Sequence, residues 1–160
     1  MLLFDFNPKS DLSNWYVVDD GVMGGRSQGS FDLNKEGHAV FSGTVSLENN
    51  GGFSSIRYAF RQKDIEAYSK VVMHLKGDGK RYQFRVKSNR NDRASYIQYF
   101  TTSGDWQIIE IPLAELYPTF RGRTLDRPNY PGEEMAELGI LIGNKKAESF
   151  QLLIDKVELE

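Results

Sequence analysis

The chain has 160 residues, 39% hydrophobic and 26% charged, a length and balance that fit one globular domain over 1–160 and exclude a disordered or membrane-spanning class. A net charge of −2 gives no global positive field for nucleic acid or anionic membrane, and the absence of cysteine excludes disulfides, thiolate catalysis and Cys-ligated zinc. Aromatic residues reach 12%, ten of them Phe and eight Tyr, a composition that favours pleated sheets over helices.

Strand signals then dominate from end to end. Leu2 to Phe6 alternates and is stopped by Asn7-Pro8-Lys9-Ser10. Trp15 to Val18 is short and apolar, and Asp19 to Gly29 is a loop with four glycines. Ser30 to Leu33 alternates again. Ala39, Phe41, Gly43 and Val45 share one face of a strand, with Ser42 and Thr44 on the other. Asn49-Asn50-Gly51-Gly52 is a turn, after which Ile56, Tyr58 and Phe60 alternate with Ser55 and Arg57.

Val71 to Lys76 and Tyr82 to Lys87 flank Gly77-Asp78-Gly79-Lys80 and are expected to form a hairpin. A second hairpin is expected from Ala94 to Thr101 and Trp106 to Pro112. One helical turn is expected near Leu113 and a helical fragment near Ile65; Pro118 to Gly132 reads as a long loop. Leu138 to Ile142 and Phe150 to Leu159 complete about ten strands, the pattern of an all-β sandwich or barrel.

The loop Asp19-Asp20-Gly21-Val22-Met23-Gly24-Gly25-Arg26-Ser27 is the densest stretch of signal. Its two carboxylates and one Arg have two readings: an internal network that braces the loop, or contacts to a ligand. Gly25-Arg26-Ser27-Gln28-Gly29 matches the spacing of a hydrolase nucleophile elbow, but a strand follows where the elbow needs a helix. No catalytic residue is assigned. The two histidines, His38 and His74, lack carboxylates at ligand spacing, so neither a metal nor a cofactor is expected; an oxygen-ligated calcium at Asp5, Asp11 and Asp155 stays open.

The strand from Ala94 to Thr101 carries Tyr96, Gln98 and Phe100 on one face and Ile97 and Tyr99 on the other, so both faces want cover. One face is core. The other is a candidate groove, shared with Arg57 and Arg85, whose Tyr, Gln and Arg side chains suit a sugar, a peptide or a protein loop. Both tryptophans, Trp15 and Trp106, read as core. The cations around Arg81 to Arg93, interleaved with rings, fit the outer face of a strand better than a nucleic-acid surface.

Trp15 followed by Asp19 to Ser27 resembles the signature of the family of the thirty-kilodalton complex I intermediate-associated assembly factor. Phe41-Ser42-Gly43, Asn50-Gly51-Gly52-Phe53, Gly77-Asp78-Gly79, Trp106, Arg121-Gly122-Arg123 and Leu138-Gly139 follow in the family's order. The resemblance implies a jelly-roll sandwich of the galactose-binding type. It also implies a non-catalytic assembly factor or chaperone whose client is a subunit of a respiratory or other membrane complex, with a carbohydrate-binding module as the alternative. The residues expected to contact the partner are Asp19, Asp20, Met23, Gly24, Gly25, Arg26 and Ser27 in the loop, and Arg57, Arg85, Tyr96 and Gln98 in the groove. The acidic N-terminus shows neither signal-peptide nor transit-peptide patterning, and a short, free-standing cytoplasmic member is expected.

Overall fold

A computed structural model describes the backbone of all 160 residues and every side chain except those of Val22 and Met23. Thirteen strands are present: β1 (Leu2–Asp5), β2 (Trp15–Asp19), β3 (Gln28–Leu33), β4 (Ala39–Val45), β5 (Ser54–Asp64), β6 (Lys70–Lys76), β7 (Arg81–Lys87), β8 (Ser95–Thr101), β9 (Trp106–Pro112), β10 (Tyr117–Phe120), β11 (Arg123–Thr124), β12 (Glu134–Ile142) and β13 (Glu148–Leu159). They form two antiparallel sheets. The first runs β3-β4-β13-β6-β9, with β1 also paired to β13; the second runs β11-β10-β8-β7-β12-β5-β2.

The all-β expectation holds, and so does the assignment of most strands. The two expected hairpins do not form. Strand β6 lies in the first sheet and β7 in the second, and β8 and β9 are divided the same way. Turn chemistry reverses the chain but leaves open which neighbour the returning strand takes. Four residues, Gly77 to Lys80, are long enough to arch across the ~10 Å between sheets. Asp78 fixes the arch: its carboxylate accepts from the Gln151 amide on β13 at 2.8 Å and from the Tyr82 hydroxyl on β7 at 3.0 Å. The second crossover is tied to the first, because Thr102 Oγ1 accepts from the Gly79 amide at 3.1 Å.

Two further expectations are corrected. The segment after β5 makes a turn, closed by the Tyr68 amide on the Ile65 carbonyl at 3.0 Å, with no helix. Pro118 to Gly132 is not all loop, for β10 and β11 pair as a small hairpin around Arg121 and Gly122. Proline had argued against a strand there; Pro118 is tolerated because its carbonyl still accepts, here from Leu125 at 2.9 Å. The single helical turn at Leu113–Glu115 is present.

The inner faces of both sheets meet in one core. Phe41, Met73, Leu75, Leu152 and Ile154 come from the first sheet; Ile56, Tyr82, Phe84, Leu138 and Ile140 come from the second. Each is essentially inaccessible to solvent, worth about 1.5–3 kcal/mol per side chain transferred from water. At one end Trp15 stacks on Tyr58, with ring centroids 4.7 Å apart and planes 10° from parallel, and on Phe31 at 4.9 Å. Trp106 does not join the core: it is 45% exposed on the outer face of the first sheet, its ring 4.6 Å from that of His38.

Candidate functional site

The glycine loop opens with a single 3₁₀ turn, Asp20–Met23, and then crosses to β3. Asp20 is completely buried beneath it. One carboxylate oxygen accepts from the Ser27 amide at 2.9 Å; the other accepts from the Ser27 hydroxyl, the Gly52 amide at 2.6 Å and the Phe53 amide at 3.2 Å. Burial by itself pushes this carboxyl up, but the Ser27 hydroxyl and the Gly52, Ser27 and Phe53 amides outweigh it. Asp20 is held below the ordinary carboxylate range. A Cβ on Gly25 would lie 2.4 Å from the Asp20 carboxylate, so only glycine lets the loop close over it. Asp19 is likewise engaged, by the Gly29 amide at 2.9 Å and the Ser54 hydroxyl at 2.5 Å.

Of the two readings of the loop, the geometry therefore favours bracing. The side chains of Asp19, Asp20 and Ser27 are spent on the protein itself. Gly24 and Arg26 face solvent, Arg26 beside Glu48 at 3.8 Å, and the Met23 side chain lies outside the described residues. The Ser27 hydroxyl is buried against Asp20 and Ser46, while His38 faces Asp155 at 3.7 Å and His74 faces Glu158 at 3.4 Å on the first sheet. Among the described residues, no group of three His, Asp or Glu side chains converges as a metal site.

What the loop braces is one wall of a cleft. Gly52 and Phe53, the residues whose amides Asp20 holds, line a depression of about 540 Å³ on the outer face of the second sheet. The opposite rim is the tip of the β10–β11 hairpin, Phe120, Arg121 and Gly122. The floor comes from β5, β12 and β7, with Leu141 as its β12 residue, and the buried Gly139 lies beneath Arg57 and Arg85 in a separate small pocket. Gly139 on β12 pairs with Arg57 on one side and Arg85 on the other. With no side chain between them, the two arginines share one space; a Cβ on Gly139 would sit 2.9 Å from the Ile56 carbonyl oxygen and 3.5 Å from Arg57 Cγ. Lys87, Arg93 and Arg121 add three more cations to the lining.

Two acidic residues answer these cations: Asp92, whose carbonyl accepts from the Lys87 ammonium at 2.8 Å, and Glu137 from within the sheet. Glu137, paired with Lys87 across β12 and β7, is buried and accepts from the Tyr16 hydroxyl at 2.5 Å. Its nearest guanidinium is that of Arg90, at 4.0 Å. Arg85 donates to Gln83 at 3.0 Å, and Gln83 in turn to Tyr99 at 2.9 Å, but neither Arg57 nor Arg85 makes a salt bridge among the described residues. Arg57 Nε is buried with no acceptor. Burial first, and the charge of Arg57 second, bring the Arg85 guanidinium down to about 10, still charged at neutral pH.

Arg57 and Arg85 thus come together as the sequence suggested, but Tyr96 and Gln98 do not join them. Gln98 pairs with Phe84, and Ile97 pairs with Arg85, so it is Ile97 and Tyr99 that share the side of the arginines. Tyr96 packs in the core against Tyr130 at 5.1 Å, and Gln98 donates to the Glu115 carbonyl at 3.0 Å. With aromatic residues on both faces, period-two alternation alone could not choose between them. Lys87, Glu137 and Gly139 were missed; the Lys87–Arg85–Gln83 alternation and the lone glycine in β12 were the available signals.

The two stacked sheets and their arched crossovers define a jelly-roll sandwich of the kind found in carbohydrate-binding modules. A family 11 carbohydrate-binding module of a cellulosomal cellulase from Clostridium thermocellum superposes with a TM-score of 0.69, over 99% of this chain and 92% of its own, at 18% identity. A family 30 carbohydrate-binding module superposes with a TM-score of 0.63 at 15% identity, over 99% of this chain and 98% of its own. Within that class the chain belongs to the complex I intermediate-associated protein 30 (CIA30) family, whose profile matches residues 4–154. It is 24% identical to mouse mitochondrial complex I intermediate-associated protein 30 over 96% of its length, and spans about half (54%) of that protein. It is 26% identical to an uncharacterized protein of Schizosaccharomyces pombe, over 90% of this chain and 78% of that one. Among the described residues no helix is long and apolar enough to cross a membrane.

Proposed function

We propose that this protein is a non-catalytic binding module that acts as an assembly factor, holding a protein partner in the cleft floored by Arg57 and Arg85. The observation that carries this reading is the cleft itself: two arginines without a salt bridge among the described residues, walled by a segment that the glycine loop holds in place. Family membership supports an assembly role, and the mouse relative's name points to a subunit of a respiratory complex as the type of client. The buried, bonded state of Ser27 supports a role without covalent chemistry. The cysteine-free composition suits a reducing compartment, and we place the chain in the cytoplasm.

A photo-crosslinking residue at Phe53 or Phe120, on the two walls, should capture defined partner subunits in native lysate. The same residue at Trp106, on the other sheet, serves as the reference. Equal capture at all three positions would remove the cleft as the binding surface.

A second reading is favoured by the structural neighbours, one of which holds a β-1,3-1,4-mixed-linked tetrasaccharide. On this reading the cleft takes a glycan. Calorimetry with that tetrasaccharide separates the two, since heat of binding that vanishes in Phe53→Ala, which removes a ring from the wall, supports the glycan.

A further inference from the structure

Resting on the reading of the cleft as the binding surface, we infer that its occupant is an acidic peptide segment, whose carboxylates take Arg57 and Arg85 in the cleft floor. The charge pattern is local and runs against the whole. The chain is net negative, yet Arg57, Arg85, Lys87, Arg93 and Arg121 converge on one depression. Lys87 is bonded to the Asp92 carbonyl, and Glu137, which draws on Arg85 and Lys87, is already bonded to Tyr16 and neighboured by Arg90, so cations outnumber carboxylates there. A guanidinium is planar and presents paired donors that match a carboxylate. Arg57 and Arg85 flank the buried Gly139 at the same level of the sheet and both line the depression, so a carboxylate entering beside them meets both.

The aromatic faces argue against a sugar in the same place. Stacking a pyranose needs a bare ring, and two of the rings along this face already carry cations. The Arg81 guanidinium lies 4.0 Å from the centroid of Tyr99, and that of Arg121 lies 5.2 Å from Phe120. Tyr16 donates its hydroxyl to Glu137. Beside the arginines the lining turns apolar at Val18, Phe53 and Leu141. Cations next to an apolar strip match a segment in which acidic and apolar side chains alternate, and this combination favours a peptide over a nucleic acid or a sulfated glycan.

The test titrates the isolated protein, followed by amide NMR shifts, with a short peptide of alternating Glu and Leu and with its counterpart carrying Gln for Glu. The acidic peptide should shift Gly139, Arg85, Lys87 and Phe53. Its binding should weaken with salt and fall roughly tenfold or more in Arg57→Gln and Arg85→Gln. The glutamine peptide should bind at least roughly tenfold more weakly to the unaltered protein, a comparison that needs no variant to fold. Equal binding of the two peptides, or shifts on a different surface, would overturn the inference. Further arms use the mixed-linked tetrasaccharide and inorganic polyphosphate. Cleft shifts with either one and none with the acidic peptide would also overturn it, handing the cleft to a different ligand. Capture of a partner at Phe53 and Phe120 together with indifference to charge would leave the binding reading standing and this inference refuted.

Discussion

Two clusters of buried charge lie on either side of the segment Gly52-Phe53, and they are built on opposite terms. Beneath the glycine loop, the Asp20 carboxylate accepts three backbone amides and one hydroxyl, all from within the chain. Over Gly139, two guanidinium groups face each other with one of their nitrogens buried and unbonded. A buried charge whose partners the fold supplies holds the fold together. A buried charge whose partner the fold withholds is paid for by stability elsewhere and marks where something else binds. The glycine loop, the chain's densest sequence signal, therefore stands one step behind the cleft, as the buttress of its wall.

The comparison breaks most easily at Asp20. Asp20→Ala leaves the Ser27, Gly52 and Phe53 amides without their acceptor and leaves the Ser27 hydroxyl only the longer bond to the Ser46 carbonyl at 3.3 Å. Stranded buried donors cost about 1–3 kcal/mol each, so the variant should lose at least ~3 kcal/mol in urea unfolding. A loss below ~1 kcal/mol would show that the loop is not a brace, and its residues would return as candidates for direct contact with a partner.

The same cluster should show itself in the acid limb of stability. Asp20 is held below its ordinary range in the folded protein, so the unfolded chain takes up its proton first as pH falls. Its contribution is complete above the unfolded carboxyl value of ~3.9 and is lost as pH drops through the lower folded value. Asp20→Asn should therefore differ from the parent most at neutral pH, with the gap in urea midpoint narrowing as pH falls below ~4. A gap of constant size across that range would mean that the charge of Asp20 does nothing.

How far the residues alone lead differs between the two clusters. The strands are plain in Phe41, Ile56, Tyr58 and Phe84, because period two survives wherever one face meets the core. The glycine loop announces itself, yet its two readings cannot be told apart without knowing that Asp20 points inward to Gly52 and Phe53, more than thirty residues downstream. Arg57 and Arg85 become one feature only through a third strand, β12, and its pairing is invisible in a local pattern. The expected hairpins failed for a related reason. Gly77-Asp78-Gly79 encodes a reversal, while the bonds from Asp78 to Tyr82 and Gln151 decide that the chain changes sheet. In this chain, local chemistry sets the turns and the burial period; which strands become neighbours depends on contacts distant in sequence.

The smallest expected effect is also the one with the unusual sign. Most substitutions at a half-buried, bonded position destabilise. At Arg85 the burial of the guanidinium and the repulsion from Arg57 both act against the folded state and outweigh the attraction of Glu137, and its one hydrogen bond among the described residues is to Gln83. Arg85→Gln should thus leave the free protein as stable as before, or more stable by up to ~1 kcal/mol. Arg57→Gln should do the same, and the double variant should gain less than the sum, because either single change already removes the repulsion. That shortfall is measurable as a coupling energy in a double-mutant cycle of urea unfolding. Two clear single losses of more than ~1 kcal/mol would mean that the arginines brace the sheet as Asp20 braces the loop, and the contrast between the two clusters would disappear.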